Sequence, residues 1–181
     1  MMDNAMASRL LGVSEPVIQQ MAASVYTRDL LYGRLKEALG GDLPSVLTVA
    51  QRYLLTQNAE QFNLLSFRLG CVCYARTILS VITGEALRKL AYLTTSYVIH
   101  DAAWGIEFSA ASGLPLSPEQ LADAIHVSGI SSLWAWCEAQ PVAVGRRVQT
   151  ALPVTEENVR IPLVHPERMV DAFVTKRLCD D

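Results

Sequence analysis

Residues 58–111 read NAEQFNLLSFRLGCVCYARTILSVITGEALRKLAYLTTSYVIHDAAWGIEFSAA. The stretch contains no proline, and Thr83-Gly84 is its one obvious joint. Leu65, Leu69, Val72, Leu79 and Ile82 recur at the three-, four- and seven-residue spacings that place side chains on one helix face. Leu87, Leu90, Tyr97, Ala102 and Trp104 or Phe108 repeat the pattern after the joint. Asn58 and Thr83 are suited to cap the two helices, because a short side-chain oxygen accepts a hydrogen bond from a helix-start amide. Phe62, Phe67, Ile78, Leu93 and Ile99 spread apolar surface onto further faces, so both helices require cover from other helices. The spacing therefore predicts a long central helical hairpin that forms a core.

The flanking sequence carries the same period. An N-terminal arm over residues 1–12 ends at Gly12. Ser14 and Pro16 open a helical stripe from Val17 to Leu39 that is expected to break near Thr27, and Gly40-Gly41 stop it. Asp42-Leu43-Pro44-Ser45 predicts a helix over about 46–57. Downstream, Ser117-Pro118-Glu119-Gln120 combines a cap, a proline at the first helical position and a capping-box glutamine. That helix runs to Pro141, with Gly129 as a possible kink, and is followed by a short helix over 142–152. Residues 153–166 are an irregular connector containing Glu156-Glu157, and a last helix spans 167–178. No alternating strand pattern and no repeat period emerges. The expectation is an all-α fold: an arm at 1–12, a single compact multi-helix domain over 13–178 (central helices 58–111, C-terminal helices 117–152) and a frayed tail at 179–181, with no sheet.

Composition bounds the function. The chain has 181 residues, 51% hydrophobic and 18% charged, with a net charge of −3. That is enough apolar material for one sizeable core, and the charge offers no overall footprint for nucleic acid. Cys71, Cys73, Cys137 and Cys179 match neither a secreted disulfide framework nor a C-x-x-C metal pair, and suggest buried thiols in a reducing compartment. No signal peptide and no apolar run of about 18 residues is found, so the expectation is a cytoplasmic protein.

Catalytic motifs are lacking. His100-Asp101 are adjacent on a helix and project about 100° apart, so adjacency does not pair them. His126 and His165 are isolated from one another, and no two histidines have the spacing of a helical metal site. No phosphate loop, nucleophile elbow or paired-carboxylate motif is present. No catalytic, cofactor-binding or metal-binding residue is assigned, and no cofactor and no enzymatic activity are expected. Residues 121–134 echo a helix-turn-helix. However, no Lys or Arg lies between Lys89 and Arg146, and a recognition helix needs cations among phosphates.

That basic-free block holds all three tryptophans, Trp104, Trp134 and Trp136. Either they fill the core or some form a protein contact, where Trp is enriched. Trp134 and Trp136 point about 200° apart on a regular helix. Because Trp134 continues the Ile130 stripe, Trp136 is the surface candidate.

From Arg68-Leu69-Gly70 the stretch FRLGCVCYARTILSVITGEALRKL resembles the SctK family of type III secretion sorting-platform proteins (YscK- and PscK-like), whose members open a long helix with RLG. SGISSLWAWCEAQPVAVGRRVQTALP is similar too: a Ser-Gly pair, an aromatic helix, a proline, then arginines and Leu-Pro. The resemblance covers about residues 58–181. It implies a non-enzymatic cytosolic adaptor recruited to the cytoplasmic face of the inner membrane. Its partners would be an SctD-like inner-membrane ring protein and an SctQ-like C-ring subunit, and indirectly the SctL-like stator and ATPase. Direct membrane insertion and nucleic acid are not implied. Arg68, Arg76, Trp104 and Trp136 are then the candidate partner-binding residues, with Arg68 equally suited to a buried ion pair among its apolar neighbours. The alternatives are another helical secretion accessory protein or chaperone, and a small α-helical ligand-binding protein or enzyme with a pocket between the long helices.

Overall fold

The computed structural model describes residues 4–80, 83–110, 116–153 and 161–178. Among these the fold is all-α, with no strand. Three short helices open the chain: α1 (Asn4–Leu11), α2 (Glu15–Ala23) and α3 (Arg28–Ala38). The expected break near Thr27 is present. Gly40 and Gly41, at φ +83° and +89°, end α3 in the left-handed conformation that glycine adopts without strain. Gly41 N–H donates to Lys36 O at 2.8 Å. Ala7, Ile18, Leu31 and Leu35 form a small core within this unit. Thus α1, expected as an arm, packs on α2 and α3.

The main body begins at α4 (Val49–Leu55), which starts later than 46 because Thr48 forms a reciprocal capping box with Gln51. Asn58 and Gln61 do the same for α5 (Ala59–Cys73), and Ser117 and Gln120 for α9 (Pro118–Ala139). Between them lie α6 (Ala75–Leu79), α7 (Gly84–Leu93), α8 (Val98–Trp104) and a 3₁₀ turn at Ile106–Phe108. The chain closes with α10 (Val142–Gln149) and α11 (Pro166–Ala172), which runs into a π-helical turn at Phe173–Leu178. Val81 and Ile82, beside the expected joint, the TEEN connector, Cys179 and the tail at 179–181 lie outside the described residues.

The central hairpin departs from expectation in one respect: neither arm is a continuous helix. The first breaks at Tyr74, and the second across Thr94-Thr95-Ser96. There Thr94 Oγ1 donates to Leu90 O at 2.8 Å and Thr95 Oγ1 accepts from Tyr97 N–H at 3.3 Å. These side chains satisfy backbone groups that a continuing helix would use. Thr83 holds the N-cap position of α7 without a side-chain cap bond.

The longest helix, α9, is the true centre, and α5 is its principal neighbour. The two cross in close contact through small residues. A Cβ on Gly70 would run into the Ile125 carbonyl, and a Cβ on Gly129 into the Ser66 carbonyl. Gly129 therefore does not kink α9, which passes through it unbroken. It permits backbone-to-backbone contact. Around this crossing Phe62, Leu69, Ile125, Leu133, Val144 and Val170 close the main core.

The N-terminal unit is tied to the body by α10. Arg146 Nη1 donates to Ala38 O at 2.9 Å, and Arg147 donates to Leu39 O at 3.2 Å and Gly41 O at 2.9 Å. These arginines cap the open carbonyl end of α3, where positive charge is favoured. Gly40 packs so closely on Val142 and Ala143 that a side chain there would collide.

Candidate functional site

Arg68 on α5 is buried, and its partner is Asp101 on α8. Nε donates to Oδ2 at 2.8 Å and Nη2 to Oδ1 at 2.9 Å, a bidentate pairing of two desolvated charges. The guanidinium carbon lies 4.4 Å from the Tyr97 ring centroid and 5.2 Å from that of Phe173. Phe173 meets Trp104 edge-on at 5.4 Å, and Trp104 stacks on Phe108 at 6.0 Å. Arg68 is thus an interior ion pair walled by aromatics, not a partner-facing charge. Trp104, half-buried, belongs to that wall. His100 is exposed while Asp101 is fully buried, as their angular separation on α8 requires.

Trp136 is also corrected. It is fully buried, and its indole N–H donates to Asp171 Oδ1 at 2.8 Å, joining α9 to α11. Trp134 is the half-buried one, donating to Pro153 O at 3.2 Å. Ile130 is itself buried, but the buried face continues through Gly129, Ser132, Leu133 and Trp136 and leaves Trp134 half-buried. Glycine and serine are its contact residues, so a search for hydrophobic spacing passes over it. Of the four candidate partner residues only Arg76 is exposed. Its backbone N–H donates to Ser109 Oγ at 3.1 Å, and that hydroxyl donates to Cys73 O at 2.9 Å.

The described thiols are interior groups. Burial pushes Cys73 up to about 11 and Cys137 up to about 12, and drives Cys71 upward as well, with Asp101 adding to the effect. A thiolate is the nucleophile and the metal ligand, so these cysteines are inert at neutral pH. Among the described residues no group of three His, Cys, Asp or Glu side chains is placed to hold a metal.

Sequence reasoning missed one convergence of polar groups. An open pocket of about 270 Å³ lies where α5, α7 and α9 meet, lined by Phe67, Leu93, Glu119, Ala122, Asp123 and His126. Glu119, Asp123 and His126 share one face of α9 by helical spacing. His126 stacks on Phe67 at 4.5 Å, and its Nε2 lies 2.8 Å from Asn63 Oδ1. Glu119 pairs with Lys89, which holds its carboxyl below the ordinary value. Two of the three groups are thereby engaged by protein partners. The remaining signal is on the outside: Tyr26 is 97% exposed, Tyr92 90%, Val46 84% and Val25 74%.

No described helix is long and apolar enough to cross a membrane. No protein-family model, curated protein or solved structure matches the chain.

Proposed function

We propose that this chain is a non-enzymatic, cytoplasmic adaptor of a type III secretion sorting platform, linking an SctD-like ring protein to an SctQ-like C-ring subunit. The observation that supports an adaptor is the distribution of side chains. The ion pair, the three described thiols and Trp136 are committed to the interior, while large apolar groups such as Tyr26, Val25, Val46 and Tyr92 stand in solvent on the peripheral helices and loops. Exposed apolar side chains mark protein contacts where they cluster, and Val25 and Tyr26 are neighbours in the chain. The secretion assignment draws on the similarity of residues 67–90 and 128–153 to the SctK family. Co-purification with the SctD-like and SctQ-like proteins tests it. Retention of at least one is the expected result, and loss of both from a folded chain would sink the assignment.

The pocket beside His126 favours a second reading, a small cationic ligand held by Asp123, Glu119 being paired with Lys89. It falls just below the usual range of about 300–1,000 Å³ for ligand sites. A thermal-shift series with small amines decides it: stabilisation that vanishes in Asp123→Asn would favour the ligand-binding reading over the adaptor.

A further inference from the structure

The N-terminal unit and the main body keep separate cores, and their boundary is open along one side. A groove of about 660 Å³ runs there, walled by Met6, Arg9 and Leu10 of α1 and, opposite, by Ala59, Ala151 and Leu152. This is within the size of a binding cleft, and boundaries between packed units are where such clefts concentrate. The walls are largely apolar. Among the described residues Arg9 is the one charged side chain lining the groove; it is exposed and forms no ion pair with any of them. Ala59 is the first residue of α5, whose first turn also carries Glu60, so the helix end adds no net positive charge to that wall. Among its described lining residues the groove is thus largely apolar with a single cation, Arg9.

We propose that this groove docks an acidic, leucine-bearing segment of a partner protein, with a carboxylate meeting Arg9 and aliphatic side chains meeting Met6, Leu10, Ala151 and Leu152. A single arginine suits a peptide carboxylate better than nucleic acid, whose binding draws on several cations at once. An amphipathic helix laid in an apolar groove is a recurrent mode of peptide recognition. The proposal rests on the adaptor reading and supplies the chemistry of one partner.

The test uses the full chain and two fluorescein-labelled amphipathic peptides, one with leucines flanked by glutamates and the other with the same leucines flanked by lysines. Anisotropy reports binding, and amide shifts at Met6, Leu10, Ala59 and Ala151 report its place. The expected result is saturable binding of the glutamate peptide in the groove. Arg9→Glu should weaken it about ten-fold or more and shift preference toward the lysine peptide. Arg9 is exposed, so the variant folds, and circular dichroism verifies this. Absence of saturation at millimolar peptide, equal binding of both peptides to the wild type, or shifts confined to another surface each overturn the proposal. Concentration-dependent dimerisation that moves the groove amides without peptide assigns the groove to a second copy, and also overturns it. Co-purification with the ring and C-ring proteins separates the two levels. If it persists unchanged in Arg9→Glu, the groove proposal falls and the adaptor stands. If it fails in the wild type while the glutamate peptide still binds, the secretion assignment falls and the groove stands.

Discussion

Arg68 and Asp101, 33 positions apart in the chain, meet inside the protein through two hydrogen bonds of 2.8 and 2.9 Å. Removing one partner strands the other charge without solvent, a loss of about 3–5 kcal/mol for buried pairs. Arg68→Ala and Asp101→Ala are each expected to destabilise by about that amount in urea denaturation. Replacing both with apolar residues of similar volume, Arg68→Met with Asp101→Leu, should recover most of the loss. A double variant no better than either single would show that the pair is not an isolated interior unit.

The α5–α9 crossing reverses an ordinary rule. Gly→Ala in a helix interior normally stabilises by about 1 kcal/mol. At Gly129 the new methyl would meet the Ser66 carbonyl, which is backbone and cannot rotate away. Gly129→Ala is therefore expected to destabilise by at least about 1–3 kcal/mol, as overpacked cores do. Its neighbour behaves oppositely: Ser128 is fully buried and its hydroxyl has no hydrogen-bond partner among the described residues. Ser128→Ala should be neutral or stabilising by about 1 kcal/mol. Thermal melts of the two variants should move in opposite directions or differ by several degrees.

That crossing also marks where the sequence stops being legible. Asn58, Ser117 and the Gly40-Gly41 stop were readable because each acts on backbone groups within a few residues. The all-α class followed from apolar spacing over long segments. The α5–α9 contact depends on residues 59 positions apart or so, as for Cys73 and Ser132, whose Sγ and Oγ lie 3.6 Å apart. Its contact residues are Ser66, Gly70, Gly129 and Ser132, which carry little hydrophobic signal. Small residues four apart on α5 (Ser66, Gly70) and three apart on α9 (Gly129, Ser132) were the available clue. The same bias toward large apolar side chains assigned Trp136 outward. Arg68 was recognisable as a possible interior charge from its neighbours, but Asp101 as its partner required the α5–α8 packing.

The buried thiols make an alkaline prediction. Folding raises Cys73 to about 11 and Cys137 to about 12 from an ordinary value of 9.0. The unfolded chain therefore releases these protons first as pH rises. Their contribution is fully present below pH 9 and is lost between pH 9 and about 11–12. Melting temperature should fall over that window. The Cys73→Ala, Cys137→Ala double variant should start lower, because of the cavities, and show a shallower alkaline decline. Native protein at pH 8 should resist iodoacetamide at both residues.

Arg147 joins the two cores by donating to Leu39 O and Gly41 O, while also bonding Ala143 O at 2.7 Å within its own helix. Truncation leaves the carbonyl end of α3 without these donors and weakens the tie between the N-terminal unit and α10. The small core of Ala7, Ile18, Leu31 and Leu35 does not reach into the main one. Opening is thus expected to be local rather than global. In Arg147→Ala, amide exchange should accelerate through α1–α3 while the protection of α5 and α9 stays at the wild-type level. Adding Arg146→Ala, which removes the bond to Ala38 O, should increase the difference. Equal loss of protection in α5 and α9 would show instead that the two cores unfold as one.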